Sequence, residues 1–181
     1  MSTYFIADLH FGDPNIIMTE GRPFRTTEEM DEAIIGNWNS VVTNEDEVFI
    51  LGDLAYEYIN RDYLATLLAK LQGKSITLIA GNHDYSLTHL YHTHGIKIID
   101  YPIIFKNYWI LSHEPMYVTE RAPYANIFGH VHTNPIYNTV SKRSCCVSAE
   151  RVSYTPVSFA YIKGEVVAAN TQVTEAVEMG V

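Results

Sequence analysis

Five short apolar runs, each stopping at a polar motif, most constrain what this chain can fold into. Tyr4–Ala7 leads into Asp8-Leu9-His10, Val48–Leu51 into Gly52-Asp53, and Ile76–Ala80 into Gly81-Asn82-His83-Asp84. Trp109–Leu111 leads into Ser112-His113, and Ile127–Phe128 into Gly129-His130-Val131-His132. Runs this short and predominantly apolar suit strands buried on both faces. The polar groups then emerge together where the strands end, and five of the eight histidines lie among them.

The segments between the runs predict how the strands connect. Thr26-x-x-Glu29 is a capping box, and Met30, Ile34, Trp38 and Val41 follow at helical spacing, predicting a helix from Thr26 to Asn44. Leu64, Leu67, Leu68 and Leu71 predict a second helix stopped by Gly73, and Leu87–His94 a short third one ended by Gly95. Strand, helix, strand, helix, strand argues for an α/β fold with right-handed βαβ units and a parallel core. Beyond residue 95 the pattern changes to strands with few helical signals: Ile96–Ile99, Ile103–Phe105, Tyr108–Leu111, Ala125–Phe128 and Cys145–Ala149. We expect from these a second, more antiparallel sheet facing the first, with Pro156-Val157-Ser158 capping a last short helix.

At 181 residues the chain suits one domain, 1–181, and its 47% hydrophobic and 18% charged residues are ordinary for a folded protein. No apolar run approaches the roughly 20 residues of a membrane helix, so no membrane partner is expected. A strand follows Met1-Ser2-Thr3 at once, and the expected location is the cytoplasm. The net charge of −9 disfavours duplex nucleic acid as a partner. It leaves room for a small anionic substrate wherever bound cations reverse the local charge. Glu165, Glu175 and Glu178 read as a solvated acidic tail, and a homo-oligomer is compatible with the composition. Cys145 and Cys146 are adjacent, too close for the usual disulfide span, and read as reduced packing residues.

Taken singly, the motifs are weak. Asp8-x-His10 on an extended chain points two ligands to one side, Gly52-Asp53 is often only a turn, and a lone His113 is by default a satisfied core or surface histidine. His130-x-His132 could be a surface pair or half of a zinc site. Together they gather oxygen and imidazole donors at consecutive strand ends, the ligand set of a transition-metal cluster. Asp53 can bridge two cations, leaving six further candidates, Asp8, His10, Asn82, His113, His130 and His132, to divide three and three.

The series resembles the motifs of the calcineurin-like metallophosphoesterases: Asp-x-His, Gly-Asp, Gly-Asn-His-Asp/Glu, His and Gly-His-x-His. The likeness covers Asp8 through His132. It implies a four-layer α/β/β/α sandwich of two mixed sheets, with the metal site at converging strand ends. By the same resemblance Asp8, His10, Asp53 and His132 hold one metal, and Asp53, Asn82, His113 and His130 the other. Two divalent ions (manganese, iron, zinc, cobalt or nickel) would share a hydroxide that attacks phosphorus in line. His83 matches a catalytic histidine that binds no metal, and Asp84 would orient its ring.

Gly52-Asp53-Leu54-Ala55-Tyr56 lacks the Asp-Arg-Gly continuation of the protein Ser/Thr phosphatases, and the chain is short for a cap domain. The Gly21-Arg22-Pro23-Phe24 segment resembles compact bacterial and phage-type phosphoesterases. Substrate selection then falls to the loops Phe11–Arg25, Tyr56–Arg61 and Glu114–Asn126. Arg22, Arg25 and Arg121 are the candidate phosphate-binding residues, although Arg22 and Arg25 could equally pair with Glu28 and Glu29. The expected activity is a metal-dependent phosphoesterase favouring diesters. The alternatives are a phosphomonoesterase acting on a nucleotide or sugar phosphate, and a silent metal-binding scaffold, which would be free to lose His83.

Overall fold

The strands of the first sheet divide their side chains between two cores, which is why their inner positions are mostly apolar on both faces. Residues 1–119, 121–135 and 141–167 are described by the computed structural model. In β1 (Thr3–Ile6) and β2 (Glu47–Ile50), Ile6, Val48 and Ile50 face one core, while Phe5 and Phe49 face the other. β3 (Ser75–Ile79) repeats this with Leu78 and Ile79. Successive side chains on a strand point to opposite faces, so a doubly covered sheet needs both sets apolar.

The first core lies under helices α1 (Pro14–Thr19), α2 (Thr27–Val41), α3 (Arg61–Leu68) and α4 (Thr88–Thr93). Met30, Ile34 and Trp38 of α2 are fully buried, and each such side chain contributes roughly 1.5–3 kcal/mol. Thr26 caps α2 by accepting the Glu29 N–H at 3.2 Å, while the Glu29 carboxylate takes the N–H of Arg25 rather than that of Thr26. The helix stops at Val41, short of Asn44, because Thr43 turns back to donate its N–H and hydroxyl to Asp46. α1 lies inside a segment expected to be a loop. Its start is nonetheless written in the sequence: the Asp13 side chain accepts the Asn15 N–H at 2.8 Å, and Pro14 occupies the first helical position.

The second core separates the two sheets. The first sheet has the order β4-β3-β2-β1-β9, with β4 (Lys97–Ile99) parallel to β3 and β9 (Val157–Ser158) antiparallel to β1. The second has the order β5-β6-β7-β8, formed by Ile103–Phe105, Trp109–Leu111, Ala125–Phe128 and Ser144–Cys146. Only the β5–β6 hairpin is antiparallel, and β6, β7 and β8 run parallel. The expectation of a more antiparallel second sheet is therefore corrected. The stretches after β6 and β7, residues 112–124 and 129–143, are long enough for parallel crossovers. Trp109, Leu111, Ala125 and Ile127 meet Phe5, Phe49 and Leu51 between the sheets.

Val157-Ser158 forms the end strand of the first sheet, and Ser158 also caps the expected last helix. Ser158 then accepts the Tyr161 N–H at 3.2 Å as a helix begins at residue 159. Ile162 and Val166 of that helix join the inter-sheet core. Cys145 and Cys146 are free thiols on β8, both half-buried. No helix among the described residues is long and apolar enough to cross a membrane. Glu165 is exposed, and Glu175 and Glu178 lie outside the described residues.

Candidate metal centre

The two sheets are sewn together just beyond their strand ends, and the polar motifs sit on that seam. Ala7, past the end of β1, donates its N–H to Val147 and accepts that of Ala149, both at 2.9 Å. β1 thus continues into register with the extension of β8. The Asp8 and His10 N–H groups bond the carbonyls of Gly52 and Asp53 at 3.0 Å, and the Gly129 N–H bonds the His113 carbonyl at 2.9 Å. Parallel strands share a direction, so all these motifs leave the same edge.

This convergence assembles two triads. Asp8, His10 and His132 form one, and Asp53, His113 and His130 the other. Within each, the donor atoms lie within 4.8 Å of one another. Asn82 joins the second, its Oδ1 3.0 Å from His113 Nε2. Asp53 Oδ2 stands between the triads, 3.4 Å from His113 Nε2 and 3.7 Å from His10 Nε2. His83 belongs to neither triad. Its ring lies 5.2 Å from that of His10, and its backbone N–H holds Asp53 Oδ1 at 3.0 Å.

The backbone bends sharply to achieve this. Asp8, His10, Asp53, His130 and His132 all have φ between 44° and 71°, a region non-glycine residues rarely adopt. Each such residue costs on the order of 1–3 kcal/mol, a strain characteristic of functional sites. The glycines leading the motifs provide room. A Cβ on Gly52 would strike the His113 ring, and one on Gly81 would strike the Asp53 carboxylate.

Partners behind the triads fix which ring nitrogen is offered. His113 Nδ1 donates to the Leu51 carbonyl at 2.9 Å, leaving Nε2 toward Asp53. His132 Nδ1 lies 3.1 Å from Glu150 Oε1. Such outer partners set the tautomer and orientation of a ligand imidazole. Burial alone would raise the Asp53 carboxyl, but His113 and His10 bring it down to about 2. Burial likewise opposes charge on His113, and the Asp53 carboxylate overrides it, lifting the imidazole to about 9. For the fully buried Asp8, burial prevails over His132 and His113, and its carboxyl is raised.

Two expected roles are corrected. Asp84 does not orient His83, because its carboxylate is taken up elsewhere. It accepts the N–H groups of Asp53, Leu54 and Gly81 at 2.8, 3.0 and 2.8 Å, and the Tyr91 hydroxyl at 3.2 Å. Arg22 neither faces a substrate nor pairs with Glu28 or Glu29. It is buried, 2.6 Å from Glu150, and donates to the carbonyls of Asp8 and Leu9 at 2.7 and 2.9 Å. Arg25 and Arg121 are exposed, and no hydrogen bond or ion pair joins either to the triads among the described residues.

Sequence reasoning missed Glu150 and Asp13. Asp13 carries a local signal, lying three residues after His10, with its Oδ2 3.3 Å from His10 Nδ1. Glu150 carries none, since only the seam between β1 and β8 brings it to His132.

His10 shows that the donor set fits a cation. With Nδ1 facing Asp13, its buried Nε2 is in no hydrogen bond, a costly arrangement for a polar ring unless something else satisfies it. Mixed imidazole, carboxylate and amide donors suit divalent transition metals.

Comparison with known proteins agrees with this chemistry. The sequence profile of the calcineurin-like phosphoesterases matches residues 1–150. An uncharacterized protein of Methanocaldococcus jannaschii is 36% identical over 177 residues, covering 91% of this chain and 93% of its relative. A crystal structure of a protein of unknown function from Aquifex aeolicus superposes with a TM-score of 0.71 at 26% identity, covering 90% of this chain and 98% of that one. With its motifs gathered at one seam and its profile matched over most of its length, the chain belongs to the calcineurin-like phosphoesterases, a family of metal-dependent hydrolases.

Proposed function

We propose that this protein hydrolyses a small phosphate ester using two divalent ions held by the paired triads, and that it favours diesters over monoesters. The observation that carries the reading is Asp53 Oδ2, set between His113 and His10 at 3.4 and 3.7 Å. A carboxylate so placed can serve both ions, with Asp8, His10 and His132 on one side and Asn82, His113 and His130 on the other. When bound, such a pair supplies an activated water and neutralises charge on the phosphoryl oxygens. His83, half-buried beside His10, carries the proton for the departing oxygen. Manganese, iron, zinc, cobalt and nickel all accept these donors, and manganese is the first to test.

A cavity of about 330 Å³ borders His113 and supports the diester preference. Tyr101, Pro102, Pro115 and Met116 line it, giving an ester substituent an apolar place beside the reacting phosphate. Asp100 and Glu114, also in its lining, disfavour a second anionic group there. After metal stripping and reconstitution with manganese, kcat/KM for bis-(p-nitrophenyl) phosphate is expected to equal or exceed that for p-nitrophenyl phosphate. Monoesterase activity without diesterase activity would reverse the substrate assignment. No turnover of either ester with any of the five metals would remove the catalytic reading.

A further inference from the structure

Arg22 and Glu150 form a buried ion pair 128 positions apart in sequence, and its further bonds reach the Asp8 carbonyl and the His132 ring of one triad. The guanidinium donates to Glu150 through Nε at 2.8 Å and through Nη2 at 2.6 Å. Its Nη2 and Nη1 also hold the carbonyls of Asp8 and Leu9 at 2.7 and 2.9 Å. The same Glu150 carboxylate meets His132 Nδ1 at 3.1 and 3.2 Å. One turn of chain away, Glu20 accepts the hydroxyl of Thr133 at 2.7 Å. The segment Glu20–Arg22 therefore grips the His132 loop on one side and the backbone of the Asp8-x-His10 motif on the other.

Burying an ion pair is a poor route to stability, since desolvation offsets most of the attraction. Apolar side chains would fill the same volume at less cost. What the pair adds is direction: a planar guanidinium fork fixes the carboxylate, and the carboxylate fixes the ring. The second triad has its own separate support in the Leu51 carbonyl behind His113.

The geometry points to Arg22 and Glu150 as positioning residues for a single metal site, that of Asp8, His10 and His132, which they hold in place without touching the ion or the other site. This rests on the two-ion reading above. Glu150 turns Nδ1 of His132 inward so that Nε2 faces the cation, and Arg22 ties that arrangement to the strained backbone of Asp8.

The test is calorimetric titration of metal-stripped protein with manganese, joined to metal analysis. Wild-type protein is expected to take up two ions. In Glu150→Gln, affinity at one site should fall by about 10–100-fold, the usual cost of losing an outer partner, with the other unchanged. Glu150→Asp should recover part of the loss, and Arg22→Lys should weaken the same site by a smaller factor. Equal weakening of both sites, or none at either, overturns the proposal. A measurement on the wild type stands apart from any folding defect: ¹⁵N shifts of the zinc-loaded protein should show His132 metallated at Nε2 with Nδ1 protonated. Metal on Nδ1 overturns the proposal. Wild-type protein that takes up no divalent ion overturns the two-ion reading itself, whereas two ions bound identically by wild type and Glu150→Gln overturn only this one.

Discussion

The carboxylate of Asp84 accepts the backbone N–H of Asp53 at 2.8 Å, across 31 residues of sequence. With the Leu54 and Gly81 N–H groups on the same carboxylate, it fastens the loop after β2 to the loop after β3. Asp84→Asn turns an amide NH₂ toward backbone donors that need an acceptor. The expected loss is roughly 2–3 kcal/mol of stability, together with weaker metal uptake as Asp53 shifts. Chemical denaturation of the metal-free variant measures it. Unchanged stability with only a modest drop in turnover would return Asp84 to the role of orienting His83.

His83 stands beside the triads without joining them, so chemistry and metal binding should separate there. His83→Gln is expected to keep two bound ions and its folded stability while losing about 10²–10⁴-fold in kcat. Nitrophenolate leaves without much help, so the loss should be smaller on nitrophenyl esters than on alkyl esters. Release of an ion from the variant would make His83 a ligand.

Asp53 belongs to one triad and also reaches His10 of the other, whereas His10 belongs to one. Asp53→Asn should weaken both ions and His10→Ala mainly one, read as metal stoichiometry after dialysis. Equal effects from the two substitutions would leave no special place for Asp53.

Asp31, on α2 away from the triads, links stability to pH. Burial raises its carboxyl to about 6, against the Gly12 N–H and Tyr63 hydroxyl bonds it accepts. Its folded pKa lies above the unfolded value, so the folded chain holds this proton more tightly. The resulting stabilisation is present below the unfolded pKa and is lost as pH rises through about 6. The amount is on the order of 2–3 kcal/mol. Asp31→Asn removes this dependence, so urea midpoints of the wild type should fall relative to the variant from about pH 4 to pH 7. A constant difference over that range would show that Asp31 ionises as readily folded as unfolded.

What the sequence determined by itself is local and periodic. Runs of mostly apolar residues on both faces of β1, β2 and β3 announced strands covered on both sides. Thr26 and the spacing of Met30, Ile34 and Trp38 announced α2, and the motifs at the strand ends announced the donors. α1 is legible in Asp13-Pro14, a side-chain cap followed by proline at the first helical position. The tertiary structure alone decided which side chains meet across long stretches of chain. Arg22 resembles a phosphate ligand in sequence, because an arginine after a glycine in a polar segment shows nothing of the carboxylate it will find at Glu150. Asp84 follows His83 directly, yet a turn sends its carboxylate to Asp53 and Tyr91 instead. Helix and strand follow from steric preferences within a few residues. The pairing of buried charges follows from the seam at Ala7 and Ser148, where two sheets meet and every polar group left inside must find a partner.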